Sequence, residues 1–290
     1  MAAIFAISSA FLYGVSNVIT RLGLKYANIM SAVLISLLSC VVCSLVLCLS
    51  LFSLNQIFSG AIFLFLAAGI TGPFFGRFFL YEGINRVGVS IASTFYEIKP
   101  LFSVIAAVFI LGEGISSRIV AGMFLMMIGT AIVSLEKSGG QIERRWAKRD
   151  LMFPLVSGVC YGVAHVLRKG GLNVFPEPVI GVTMQNLGAL AFAPFLALTP
   201  RSQKQTLSAN GKAWFIFSLA GILNVIAQWC LFLALHLGKV VVVSPLTSLS
   251  TFFVLILSAL FLRSVEKVTW KIVFGSVLIV GGTFTLALMP

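Results

Sequence analysis

Residues 136–150 read EKSGGQIERRWAKRD, the one long polar stretch in an otherwise oily chain. It holds five Lys and Arg residues and cuts the 290-residue chain near its middle. What lies on either side of it decides the fold.

Outward from the cut, apolar runs follow one another in both directions. The chain is 59% hydrophobic and only 10% charged, with a mean hydropathy of +1.09. A soluble domain carries about 25% charged residues, so the solvent for this chain is a bilayer. A helical span needs about 20 apolar residues. Ten such runs lie at roughly 2–22, 28–51, 58–82, 89–111, 118–135, 150–167, 178–199, 213–235, 240–262 and 270–288. Backbone groups in lipid must be bonded within their own segment, so these runs are expected to be helices. They are too long and too evenly apolar for barrel strands. The N-terminus has no basic leader region, so 2–22 reads as a retained membrane helix rather than a signal peptide.

The two sides of the cut resemble each other. Tyr13-Gly14-Val15 returns as Tyr161-Gly162-Val163, and Val18, Gly23 and Leu24 return as Val166, Gly171 and Leu172. Gly88 matches Gly238, Phe102 matches Phe252 and Val104 matches Val254. EGISSRIVAG at 113–122 lines up with EKVTWKIVFG at 266–275, and Gly129-Thr130 with Gly282-Thr283. The offset drifts only from 148 to 153. The expected organisation is a five-helix repeat at 1–140, a connecting loop at 141–149 and a second five-helix repeat at 150–290. Five is odd, so the second repeat enters the membrane from the opposite side. The expected fold is an all-α polytopic membrane protein, ten transmembrane helices arranged as two inverted repeats. Transporters use this symmetry to alternate between two shapes around one midplane site.

The chain resembles the EamA-like, ten-helix branch of the drug/metabolite transporter superfamily. The resemblance rests on Pro100, on Leu111-Gly112-Glu113 closing the fourth span, on Gly122 and Gly129 in the fifth, and on LYGVSNVITRLGLK at 12–25. It covers both halves. The second half departs from the pattern, with Ser250 in the register of Pro100 and Glu266 as its acidic end-of-span residue. The resemblance implies transport of a small metabolite, commonly export, across a bacterial inner membrane. It also implies that both termini face the cytoplasm. Positive charge argues the reverse: fourteen Lys and Arg fall in loops after odd-numbered spans and four after even ones, and positive loops stay inside.

Other chemistries are disfavoured. The net charge of +12 sits mostly at span ends, where it meets headgroups, so no nucleic-acid partner is expected. No HExxH, GxSxG or P-loop pattern occurs, so neither an enzyme nor an ATP-driven pump is expected, and no cofactor or metal. Cys40, Cys43, Cys48, Cys160 and Cys230 all lie in apolar runs and read as packing or lipid-facing residues. The expected partners are the bilayer, a small-molecule solute, a proton as coupling ion and a second copy of the chain as a homodimer. A lipid-linked flippase on the same fold and a non-transporting membrane protein are the alternatives.

Charges inside spans mark the candidate site, because an intramembrane charge costs roughly 2.5–3.5 kcal/mol on insertion scales. Arg77, Glu97 and Lys99 are the clear ones. Arg77 and Glu97 flank the turn between spans three and four at similar depth, which allows an ion pair. Glu97 and Lys99 are about 200° apart on an unbroken helix, but Pro100 can kink it. Tyr81 shares a helix face with Arg77, and Thr94 shares one with Glu97. The matching spans of the second half supply Asn224, Gln228, Trp229 and Thr247. These nine residues are the expected substrate-binding set, with a cavity between spans three, four, eight and nine. Gln228 falls near the equivalent of Arg77, and Thr247 at that of Glu97. Glu97, balancing Arg77, and His165, the equivalent of Asn17, are candidates for proton coupling. The competing reading is a structural Arg77–Glu97 pair with Lys99 bonded to carbonyls. Gly69, Gly72 and Gly76 read as close-packing positions. Two cations against one carboxylate favour an anionic or zwitterionic solute, such as an amino acid.

Overall fold

A computed structural model describes residues 1–51, 60–135, 147–198, 209–261 and 269–287. The described residues are almost entirely helical, with one isolated bridge between Ala27 and Ala209. The helices are α1 (Ala2–Gly23), α2 (Ile29–Leu51), α3 (Ala61–Gly69), α4 (Arg77–Val87), α5 (Val89–Tyr96), α6 (Lys99–Leu111) and α7 (Ser117–Leu135) in the first half. In the second they are α8 (Met152–Val174), α9 (Pro178–Ala191), α10 (Gly211–Leu237), α11 (Val240–Thr247), α12 (Leu249–Phe261) and α13 (Trp270–Ala287). Seven helices among the described residues are long and apolar enough to cross a membrane. Large apolar side chains such as Phe63, Phe109, Phe124, Phe215 and Trp270 are turned outward, as a lipid-facing surface requires. The chain is a multi-pass integral membrane protein.

Two irregularities shape the middle of the fold. Between α3 and α4 the helix widens into a π segment, Ile70–Gly76, around Pro73. Proline lacks the N–H that the ladder needs, and π segments of this kind often occur at functional sites. The second irregularity is a break between α5 and α6 at Glu97 and Ile98. The break precedes Pro100, which occupies the first turn of α6, the place where a missing N–H costs nothing. The second half is also broken, at Ser248 between α11 and α12, without a proline at Ser250. There Pro245 lies inside α11, and Ser248 N–H donates to the Pro245 carbonyl in a tight turn.

The halves repeat each other in packing. Glycines show the reciprocity most sharply. A Cβ on Gly14 would meet Phe253, Ser250 and Val254; a Cβ on Gly162 would meet Phe102, Lys99 and Ser103. So α1 leans on the break of the second half and α8 on the break of the first. Likewise α7 and α13 cross at Gly129, close to Gly275 and Ile279, and at Gly282, close to Gly122 and Met126. These glycines are among the pairs matched in the sequence.

The contacts correct the register by one residue from α4 and α10 onward. Phe102 corresponds to Phe253 and Lys99 to Ser250, so Glu97 corresponds to Ser248 and not to Thr247. The shift is already present before the α4–α5 turn, since Arg21 and Lys169, which match at the offset of the first spans, bond the Ile84 and Leu235 carbonyls. In the first half Gly88 alone joins α4 to α5, with φ 90°, a conformation that favours glycine. In the second half two residues, Gly238 and Lys239, join α10 to α11 with ordinary extended backbone. Each linker is held by a basic residue on the first helix of its own half. Arg21 Nη1 donates to the Ile84 carbonyl, and Lys169 Nζ donates to the Leu235 and Gly238 carbonyls. Gly112, which ends α6 at φ 66°, turns Glu113 toward the other half. There its two carboxylate oxygens accept the Val240 and Val241 N–H groups at 2.9 Å, capping α11 as an anion at a helix N-terminus does.

One span boundary also moves. The sixth apolar run is expected to stop at residue 167, which places Arg168 and Lys169 in the loop that follows. Helix α8 continues to Val174, and Gly171 packs beneath the Phe65 ring. Arg168 is therefore inside the protein and wholly buried.

Candidate functional site

The breaks and the π segment leave a polar cavity between the two halves. Its walls are Tyr13 and Asn17 on α1, Arg77, Leu80 and Tyr81 on α4, Tyr96 and Lys99 across the α5–α6 break, Tyr161 on α8, Asn224 on α10 and Ser250 on α12. About 20 Å³ of it is open to water, room for one or two molecules. Four of the nine expected binding residues, Arg77, Tyr81, Lys99 and Asn224, meet here. Spans one and six contribute as well as the expected three, four, eight and nine. Tyr13 and Tyr161, which sequence reading did not place in the site, face the cavity from opposite halves. The signal for them was present: they are the repeated tyrosines.

Arg77 is 3% exposed and lies just past the π segment. Its Nη1 donates to Ser36 Oγ at 2.9 Å and to Cys40 Sγ at 3.4 Å. Ser36 and Thr20 both bond the Tyr81 hydroxyl, so Arg77 ends a network that spans α1, α2 and α4. The Gly72 and Gly76 positions behave as close-packing sites, since a Cβ on either would press into Tyr161 or Arg168 of α8.

The expected Arg77–Glu97 pair is absent. Glu97 Oε2 lies 3.8 Å from Lys99 Nζ, and Glu97 Oε1 accepts hydrogen bonds from Ser250 at 3.1 Å and Thr251 at 2.8 Å. The helix break is the reason. It interrupts the α-helical advance between positions 97 and 99, so residues two apart can face each other. Lys99 Nζ also lies 4.7 Å from the centre of the Tyr96 ring, a cation–π contact. Glu97 itself borders a second space, with Pro100, Leu101, Met123, Met126, Met127, Ser248 and Ile279. Lys99 thus stands between the polar cavity and the carboxylate.

Other expected residues lie elsewhere. Gln228 is buried behind the cavity, accepting from Gln185 Nε2 at 2.7 Å. Thr247 is buried too, and its hydroxyl donates to the Ser244 carbonyl of its own helix. Trp229 lines a separate apolar space with Ser44, Leu47, Val179, Val182, Thr183 and Val225. The Thr94 side chain lies outside the described residues. His165 Nδ1 is 3.0 Å from Ser244 Oγ, which is bonded in turn to Ser103 on α6. Sequence reading missed Arg168 altogether. Its Nε donates to Gln185 Oε1 at 2.7 Å, and its guanidinium lies 5.8 Å from the centre of the Phe232 ring. Leaving a buried polar group unsatisfied typically costs about 1–3 kcal/mol, more when it is charged, so cations are kept at such depth only with strong support or a use.

Comparison with known proteins fits this architecture. The model of the EamA-like transporter family matches residues 1–135 and again 149–288. The chain belongs to the EamA-like transporter family. The EamA-like family falls within the drug/metabolite transporter superfamily, so the resemblance read from the sequence holds. A solved crystal structure of a protein superposes with a TM-score of 0.77 at 16% identity, over 99% of this chain and 96% of that one. At that identity the likeness concerns the EamA-like fold alone. No curated protein matches the chain.

Proposed function

We propose that this EamA-like protein is a secondary transporter of a small anionic or zwitterionic solute. Its ten spans form two inverted five-helix repeats that alternate access to the cavity at Arg77 and Lys99. The observation that carries this reading is the cavity itself: both repeats build it, cations line it, and it admits water but not a metabolite. A solute can enter only if the helices around it part, which is what alternating access supplies. The α5–α6 and α11–α12 breaks, each packed against a helix of the other half, are natural hinges.

Export across a bacterial inner membrane is the proposed direction and place. Glu97 is the proposed coupling carboxylate. A solute anion drawn to Lys99 would weaken the Lys99–Glu97 contact and favour protonation of Glu97. His165, joined through Ser244 to Ser103 one turn beyond Lys99, is the candidate for passing that proton on. Flux into proteoliposomes containing the purified chain tests the reading. Accumulation of an anionic or zwitterionic solute driven by an imposed proton gradient is expected. Absence of flux for every solute that binds the protein overturns it.

A further inference from the structure

Arg168 is unlike the other buried cations. Lys99 has Glu97, and Arg77 has Ser36 and Cys40. Arg168 is 0% exposed. Only its Nε is bonded, and both Nη atoms are buried without an acceptor among the described residues. A guanidinium does not lose its proton in a protein, so burial cannot be relieved by neutralisation. Neither Arg168 nor Arg77 forms an ion pair among the described residues. Among the described residues, the charges gathered around this part of the fold are Arg77, Lys99 and Arg168 against the carboxylate of Glu97.

The position of Arg168 gives the surplus a direction. Its Nη2 rests against Gly72 in the π segment, where a Cβ would come within 2.9 Å. The Tyr161 ring packs on the same glycine and on Gly76, and lines the cavity on its other side. The phenols of Tyr13, Tyr161 and Tyr96, all cavity residues, lie within electrostatic reach of Arg168, as does Arg77. Arg168 therefore stands one side chain behind the cavity wall. The side chains in front of it, Tyr13 and Tyr161, belong to opposite repeats and would shift against each other if the repeats rock.

We propose that Arg168 is a second anion anchor of the transport site, and that the solute is a dianion, either a dicarboxylate or a phosphomonoester. Its first anionic group is held at Arg77 and its second reaches Arg168 past Tyr13 and Tyr161. This rests on the transport reading above and narrows its substrate class. Guanidinium forks match carboxylate and phosphate oxygens bidentately. A monoanion leaves one of the two cations uncompensated, whereas a dianion satisfies both.

The test is binding to the purified full-length chain, read by thermal shift and calorimetry, with probes paired by size. Succinate is compared with butyrate, and glycerol 3-phosphate with lactate; alanine represents zwitterions. Each dianion class is scored separately, so the outcome also tells dicarboxylate from phosphomonoester. At least tenfold tighter binding of one dianion over its monoanionic counterpart is expected. In Arg168→Gln that ratio is expected to fall toward one, and Arg168→Lys is expected to restore part of it. A wild-type protein that binds monoanions or alanine as tightly as either dianion overturns the proposal, and so does a folded Arg168→Gln variant with an undiminished ratio. If Arg168→Gln does not fold, the wild-type ratio and Arg168→Lys decide. Flux separates this from the broader reading: monoanion transport without dianion preference sinks only the second anchor, whereas dianion binding without any flux sinks only transport.

Discussion

The same four-station network is built twice, with different residues in it. In the first half Thr20 bonds Tyr81, Tyr81 bonds Ser36, and Ser36 accepts from Arg77. The equivalent positions of the second half are Arg168, Phe232, Gln185 and Gln228. Arg168 lies over Phe232 and donates to Gln185, which donates to Gln228. Each network holds one arginine, Arg77 at the end of its chain of contacts and Arg168 between Phe232 and Gln185. In the first half it sits on the third span and faces the cavity. In the second it sits on the first span and is sealed behind the wall. Symmetry of backbone thus coexists with asymmetry of charge. The scaffold fixes where polar side chains can be supported, and the sequence of each copy chooses which station carries the cation.

The contrast can be broken most severely at Arg77. Arg77→Gln is expected to lower solute binding at least 100-fold, measured by calorimetry, because it removes the cation at the cavity wall. Its melting temperature should fall little, since Ser36 keeps Tyr81 as a partner. A variant that loses thermal stability yet binds normally would make Arg77 a purely structural residue. The supporting stations come next. Gln185→Leu is expected to destabilise by about 1–3 kcal/mol, the cost of leaving buried polar groups unsatisfied. Ser36→Ala is expected to cost about 0.5–1.5 kcal/mol, the net worth of an ordinary hydrogen bond, since Arg77 retains Cys40. Denaturant titration in a common detergent ranks the two; a reversed order would show that Arg168 does not depend on Gln185.

A subtler asymmetry concerns Glu97, whose counterpart Ser248 cannot titrate. Glu97→Gln is expected to leave the fold intact and to flatten the pH profile of flux. A profile unchanged from wild type would remove Glu97 from proton coupling. The smallest expected effect is at the α11 cap. Glu113→Gln keeps one acceptor oxygen but loses the charge at the helix N-terminus, a change of about 0.3–1 kcal/mol, visible as a slight fall in melting temperature.

How much of this the sequence discloses depends on which physical signal carries it. Apolar length located most helix ends to within a few residues but stopped α8 seven residues short, and the ordered glycines marked crossings that the structure then used at Gly14, Gly162, Gly129 and Gly282. Charge inside an apolar run pointed to Arg77 and Lys99, which line the cavity. The same rule lost Arg168, since two basic residues followed by two glycines resemble the end of a span, and only the packing of Gly171 on Phe65 shows that the helix goes on. Helical geometry allowed an Arg77–Glu97 pair, whereas the break that Pro100 marks in the sequence turns Glu97 toward Lys99 instead. Tyr13 and Tyr161 were noticed as repeat markers, but nothing in a single sequence says that two such markers converge.

The two linkers have a practical bearing on recombining the halves. Four residues separate Ile84 from Val89 and four separate Leu235 from Val240, so a chimera that grafts α5 and α6 in place of α11 and α12 keeps its register when the graft begins at position 240. What does not transfer is the backbone of the joint: Gly88 turns at φ 90°, whereas Gly238 and Lys239 are extended. A joint that keeps Lys239 where Gly88 belongs asks a lysine for a conformation that favours glycine, so the graft should carry Gly88 with it.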